Sequence, residues 1–279
     1  MIYLLLAILS STCVSSFMRL SEKFISNKMM MFVANYALCT IFSYLYIDKT
    51  VIYNLDYGFI VMLITGVITG ILYLVSFVVL KTNMQYNGVV LSSTFMRLGV
   101  LIPTAIAIII FKEVPKFSQI IGFIIAILAI ILINFDKEGI KEGSKKTWLL
   151  GLLVLNGLGD SMANIFDKLG NPSYGDGYLI MTFLVALLLS IVLTLKDKQT
   201  INRYDILFGI LVGVPNYYSA RFLLLALNSM NAVIVYPVYS IATMIAITSV
   251  GVLCFKEKLN RQKLIALLMI MVALALLNI

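Results

Sequence analysis

The sequence predicts an all-α polytopic membrane protein of ten transmembrane helices, arranged as two inverted five-helix repeats, and three observations carry that prediction. The first is composition. Hydrophobic residues make up 61% of the chain and charged residues 12%, with a mean hydropathy of +1.03, too little polar content to cover a soluble globule of 279 residues. The second is spacing: apolar runs of about 20 residues, long enough to cross the hydrocarbon, recur with short charged breaks between them. The third is an internal repeat. Residues 111–134, FKEVPKFSQIIGFIIAILAIILIN, align without a gap on residues 255–278, FKEKLNRQKLIALLMIMVALALLN. Lys112 thus falls on Lys256, Glu113 on Glu257, Ala129 on Ala273 and Asn134 on Asn278, while Asn87 and Val89 keep register with Asn231 and Val233. The charged triplet carries the repeat, because two apolar helices match by composition alone.

The elements follow in order. The first run, IYLLLAILSSTCVSSFM, has no basic leader segment, and Thr12 before Cys13 makes a poor lipobox, so it is expected to stay as span one, ending near Met18. Spans two and three are expected at 29–47 and 57–80, separated by DKTVIYNLD. A KTNMQYNG turn leads to span four at 89–111, and the KEVPK hairpin leads to span five, ending near Asn134. The longest polar segment, DKEGIKEGSKKT at 136–147, reads as a linker between a first repeat at 1–135 and a second at 148–279. Spans six to ten are expected at 148–166, 177–195, 206–227, 232–255 and 264–279. Five spans before the linker insert the second copy upside down, which is the inverted-repeat architecture of secondary transporters.

Charge gives an orientation. The breaks after spans one, three, five, seven and nine hold about fifteen Lys and Arg, and the remaining breaks about four, so the positive-inside rule places the linker in the cytoplasm and both termini outside. The net charge of +8 sits in loops beside spans, where it sets topology and meets lipid headgroups rather than nucleic acid. Cys13, Cys39 and Cys254 fall in apolar runs at unrelated spacing and read as small buried hydrophobes. With no His in the chain, zinc chemistry and His-based catalysis are excluded, and neither metal nor cofactor is expected.

Asp160 is the most informative single residue. It lies well inside span six, where a carboxylate costs about 2.5–3.5 kcal/mol on an insertion scale. Asn156, Asp160 and Asn164 are spaced four apart and form one polar stripe on an otherwise apolar helix. Gly157 and Gly159 beside it admit a neighbouring backbone or a ligand. The alternative is an Asp that pairs with an Arg to fix helix packing. Arg97, near the middle of span four, requires a carboxylate, carbonyls or water at that depth, whereas Arg221 in span eight lies nearer a helix end and could snorkel. Tyr217 and Tyr218 precede Arg221 by one turn, and Tyr236 and Tyr239 bracket Pro237. These four tyrosines could line a pocket with cation–π faces or hydroxyls, or simply pack. Lys112, Glu113, Lys256 and Glu257 read as solvated hairpin tips and helix caps.

Ten spans, the duplication, and a hairpin Glu followed by SQIIGFIIAILAIILIN together resemble the drug/metabolite transporter superfamily, in particular its ten-span EamA-type branch. That branch's hairpin usually reads Gly-Glu-Arg-Leu; here it is Lys112-Glu113-Val114-Pro115 and Lys256-Glu257-Lys258-Leu259. The segment AILSSTCVSSFMRLSEKF at 7–24 is also similar to the first helix of the four-span small multidrug resistance proteins. Those proteins carry their membrane glutamate eight residues before a basic residue. Counting back eight from Arg19 reaches Ser11, and from Lys168 reaches Asp160, so the resemblance and the burial argument select the same residue.

The function expected is secondary active transport of a small polar metabolite, amino acid or amine-like, by alternating access with proton or exchange coupling. Asp160 would be the coupling carboxylate and Arg97 would hold the anionic feature of the site. The expected partners are the solute, protons and the lipid bilayer of the inner or plasma membrane, with the chain acting as a monomer or homodimer and without nucleic acid. An organophosphate or nucleotide-sugar exchanger remains as an alternative if Lys81 and Lys168 turn inward. An intramembrane enzyme is disfavoured, since Asp160 and Asp167, seven residues apart, lie about 10 Å from each other along a helix, too far to share a proton, and a purely structural or channel role is the other alternative of a different class.

Overall fold

The computed structural model describes residues 1–21, 23–47, 51, 55–87, 95, 96, 99–134, 146–196 and 200–255, together with 265, 268, 269, 272, 273 and 276. Its described segments are all-helical. Nine α-helices are described: α1 (Ile2–Ser21), α2 (Lys28–Leu45), α3 (Tyr57–Asn87), α4 (Leu101–Ile109), α5 (Phe117–Asn134), α6 (Lys146–Leu169), α7 (Gly175–Lys196), α8 (Arg203–Leu227) and α9 (Ala232–Phe255). A 3₁₀ turn at Pro172–Tyr174 precedes α7. Five helical stretches have the length and composition to cross a membrane: Lys28–Leu45, Tyr57–Leu80, Thr147–Leu169, Pro172–Lys196 and Arg203–Leu227. Ile2–Met18, Phe117–Ala129 and Ala232–Ile247 are shorter apolar helices. Most of the linker, residues 136–145, and most of span ten lie outside the described residues, while Lys146 and Thr147 open α6.

The chain divides into two compact units, 1–74 with 162–229 and 75–161 with 230–279. Each unit takes residues from both sides of the linker, and α3 and α6 contribute to both.

In the first unit, α2 packs against α7 and α8, and α1 packs against α8. Two pairs of glycines, each four residues apart, bring backbones together. A Cβ on Gly209 would stand 2.5 Å from Ala34 Cβ and from the Met31 carbonyl, and one on Gly213 would stand 3.0 Å from the Asn35 carbonyl. On α3, a Cβ on Gly70 would stand 2.5 Å from the Thr182 carbonyl, and one on Gly66 would stand 2.8 Å from Met181 Cβ. Helices in lipid lack a hydrophobic drive towards one another and associate through such close approach, which maximises van der Waals contact. Asp205 closes the N-terminal ends of α2 and α8. It is fully buried, accepts from the N–H groups of Ser26 at 2.8 Å and Asn27 at 3.2 Å, and from that of Asn202 at 2.7 Å. One carboxylate thus caps its own helix and anchors the chain entering α2.

In the second unit, α9 packs on α4 and α5. After α4 the backbone of Lys112 takes a left-handed conformation, φ 53°, and the Glu113 N–H donates to the Ala107 carbonyl at 3.0 Å. Glu113 is then buried and its Oε2 accepts from the Val233 N–H at 2.9 Å, capping α9. This corrects the solvated reading of that hairpin residue: the carboxylate serves the helix on the far side of the linker. Gln119 Oε1 accepts from the Lys116 N–H at 3.0 Å, the side-chain half of a capping box that starts α5. Glu257 and Val89, the repeat counterparts of Glu113 and Val233, lie outside the described residues. Cys13 is exposed and Cys39 buried, so Cys13 does not sit in the core as its apolar run suggested; the side chain of Cys254 is not described.

Candidate functional site

Both units hold polar side chains within their helices. The second unit contains Asp160. It is fifteenth of the 24 residues of α6, about 21 Å along the helix at 1.5 Å per residue, and half-buried. Asn156 Nδ2 lies 3.3 Å from Asp160 Oδ2 and 3.2 Å from the Met96 carbonyl, so one amide joins the carboxylate to the chain before α4. Tyr236, buried on α9, donates its hydroxyl to the Asp160 backbone carbonyl at 2.5 Å. That bond holds α9 to the turn of α6 that carries the carboxylate. Gly157 supplies the room for α6 to meet the start of α4, because a Cβ there would stand 2.5 Å from the Gly99 carbonyl and 2.8 Å from Ile102 Cβ. The close neighbour of that glycine is therefore a backbone and a side chain of the protein itself. Tyr239, one turn after Tyr236, is half-buried, and Arg97 lies outside the described residues.

Asn164 completes the four-residue spacing of the stripe but belongs to the first unit. It is fully buried, and neither atom of its amide finds a hydrogen-bond partner among the described residues. The hydroxyls of Tyr36 and Thr182, also in the first unit, are buried in the same condition. Each such group carries a desolvation penalty of about 1–3 kcal/mol, and core packing alone gives no reason for three of them in one unit.

The first unit also contains Arg221. Its Nη1 lies 3.2 Å from Asp176 Oδ1 and donates to the Tyr217 hydroxyl. The guanidinium carbon stands 5.3 Å from the ring centre of Tyr46 and 5.9 Å from that of Tyr217, within cation–π range. Tyr46 and Tyr218 share a hydroxyl–hydroxyl bond of 2.9 Å. Phe42, Phe183 and Phe222 continue the aromatic wall, each in ring contact with Tyr217 or Tyr218. Tyr217 is fully buried, whereas the side chains of Arg221 and Asp176 keep 26% and 20% of their surface, so the ion pair can be reached from outside. One further turn into the helices, Asn216 Nδ2 donates to Asn35 Oδ1 at 3.1 Å, and Cys39 Sγ donates to the Gly213 carbonyl at 3.3 Å.

Of the residues singled out in the sequence, the structure brings Asn156, Asp160 and Tyr236 together in the second unit and Tyr217, Tyr218 and Arg221 together in the first. Asp176 and Tyr46 escaped the sequence reading. The signal for Asp176 was an acid in a first helical turn, where the helix dipole favours it; Tyr46 is 172 residues from Tyr218 and carried no local signal. No cluster of three or more metal-ligating side chains occurs among the described residues.

Three comparisons with known proteins bear on these groups. The family model described as Small Multidrug Resistance protein matches residues 177–270, which begins within α7, covers α8 and α9, and starts after Asp160. An uncharacterised protein of Haemophilus influenzae is 27% identical over 199 residues, covering 69% of this chain and 67% of its own length. A solved crystal structure superposes with a TM-score of 0.71 over 99% of this chain and 94% of that one at 11% identity, a likeness of fold alone. The multidrug-resistance match and the apolar helices support an integral membrane protein of transporter type.

Proposed function

We propose that this chain is a secondary active transporter of the drug/metabolite type, with ten spans in two inverted five-helix halves at 1–135 and 148–279, as in the EamA branch. It moves a small polar metabolite, an amino acid or amine-like solute, across the cell membrane by alternating access. Asp160 binds a proton and the solute cation in turn, and the coupling is to protons or to exchange of a second solute. One observation carries the reading: a half-buried carboxylate in the interior of a membrane-length helix, with Asn156 against its Oδ2 and Tyr236 on its carbonyl. Ionisable groups at that depth are costly and mark solute or proton pathways. The multidrug-resistance match over 177–270 supports the transporter class. The exchanger alternative called for Lys168 turned inward; Lys168 is exposed, and the side chain of Lys81 lies outside the described residues.

The test is uptake by the purified protein in liposomes under a pH gradient, with Asp160→Asn beside the wild type. Asn nearly preserves the shape and can keep one bond to Asn156, so the melting temperature should stay close to that of the wild type while gradient-dependent uptake falls at least 100-fold. A stable variant with full, pH-dependent uptake removes Asp160 from the mechanism. If Asp160 serves only to fix packing, the variant loses stability and retains the transport of whatever protein still folds.

A further inference from the structure

We propose that Glu113 is a positioning residue for Asp160: by capping α9 it fixes the place of Tyr236, whose hydroxyl holds the turn of α6 that presents the carboxylate. This rests on the transport reading above and extends its site to a hairpin residue that touches neither solute nor proton.

Every link lies within the second unit. Glu113 is set by its own backbone, since Lys112 turns the chain at φ 53° and the Glu113 N–H donates to the Ala107 carbonyl at 3.0 Å. Its Oε2 then accepts from the Val233 N–H at 2.9 Å. Val233 is the second residue of α9, in the first turn, where N–H groups have no partner within the helix. The N–H groups of Ile234 and Val235 both return to the Asn231 carbonyl at 3.0 Å. Of these three bonds, that of Glu113 alone comes from another part of the fold.

Pro237 makes that contact decisive. It lies inside α9 and has no N–H for the Val233 carbonyl, the bond a helix otherwise forms at that place. The first turn of α9 is therefore tied less firmly to the turns that follow, and its place is set by what grips Val233. Tyr236 stands three residues on, about 4.5 Å along the helix. It is buried, and its hydroxyl donates to the Asp160 carbonyl at 2.5 Å. Asn156 Nδ2 meets the same residue at Oδ2, 3.3 Å away, and the Met96 carbonyl at 3.2 Å. Asp160 is thus held twice, at its side chain by Asn156 and at its backbone by Tyr236. A displaced α9 start carries the tyrosine hydroxyl with it and loosens the turn, and the Asn156 contact, already long, is the first to break.

The experiment uses the full-length protein in liposomes and dicyclohexylcarbodiimide, an apolar reagent for carboxyl groups within a membrane, with the rate of modification at Asp160 read by peptide mass spectrometry and D160N as the blank. E113A and Y236F should each react at Asp160 at least threefold faster than wild type, as the Asn156 amide no longer screens Oδ2. E113Q, whose amide oxygen still accepts from Val233, should match wild type. The double variant E113A/Y236F should react no faster than the faster single one, because both changes break the same chain of contacts. D205A removes a helix cap in the first unit; it should lower the melting temperature and leave Asp160 as reactive as in wild type. Asp160 reacting equally in wild type, E113A and Y236F, or not at all in any of them, overturns the inference, as do rate increases that multiply in the double variant. An equal increase in D205A overturns it too, because loosening anywhere then suffices. Should E113A fail to fold, E113D, which keeps the charge and shortens the reach by one methylene, takes its place with the same expected direction, and no increase in E113D overturns the inference. Modification reports on the position of Asp160 and uptake by D160N on its part in transport, so the two readings fail separately.

Discussion

Asp205 and Glu113 show how a carboxylate serves as a helix cap in this protein. Both are buried, both accept backbone N–H groups from a segment distant in sequence, and both sit at helix ends. Hydrogen bonds to a charged group contribute about 1.5–3 kcal/mol each, so Asp205→Asn, which turns one acceptor into a donor facing an N–H, should lower stability by about 2 kcal/mol with no change in solute selectivity. Thermal denaturation in detergent checks the first part and uptake of a panel of small solutes into liposomes the second. Asp160 differs from these two in lying mid-helix, and its four-residue spacing from Asn156 made it legible in the sequence. Asp176 was not legible. Its partner Arg221 is 45 residues further on, and nothing in a single sequence says which Arg an exposed-looking Asp in NPSYGDG will meet. Glu113 keeps the capping role expected of it but not the solvation, since a charged residue in a hairpin is ordinarily solvated, and only the arrival of the α9 N-terminus buries it.

At the level of helices, the second, third, sixth, seventh and eighth expected spans fall on helices with the length and composition to cross a membrane, and hydropathy placed their ends less well. The third span was expected to stop at Leu80, yet α3 continues to Asn87, because hydropathy marks where lipid ends whereas a helix continues for as long as its backbone bonds remain satisfied. Asn83 explains part of the extension: buried on α3, it donates to the Trp148 carbonyl at 2.7 Å. The glycine pairs on α3 and α8 were visible as letters, but their role emerged only from what lies opposite them. Gly70→Ala forces a Cβ to within 2.5 Å of a backbone carbonyl, which cannot move aside as a flexible side chain would. Overpacking of this kind costs about 1–3 kcal/mol, so the variant should melt lower than the wild type, and Gly151→Ala, where a Cβ meets nothing within 4 Å, should not.

For the whole molecule, the two compact units do not follow the two halves suggested by the repeat. The first unit joins 1–74 to 162–229 and the second joins 75–161 to 230–279, so a cut in the linker severs neither unit's helices but separates each unit's parts. Residues 1–140 and 141–279 produced separately should therefore be protease-sensitive and aggregate in detergent, whereas the two produced together should reassemble into a complex that purifies through a tag on either piece. Recovery of a stable, monodisperse 1–140 fragment on its own would show that the first half needs nothing from the second.

The same interleaving imposes a schedule on biosynthesis. When residue 74 leaves the ribosome, the partners of α1, α2 and α3 in the first unit are still unmade, and α8 is complete only at residue 227. At about 5–20 residues per second, some 150 further residues take about 8–30 s. Until their partners on α7 and α8 are made, the glycine faces of α3, the Asn35 and Cys39 side of α2, and the backbone N–H groups of Ser26 and Asn27 lack the contacts they have in the folded unit. The early helices of this chain are thus obligate clients of whatever holds nascent spans in the membrane, and variants that slow synthesis between α3 and α8 should lower yield without altering the protein that is finally made.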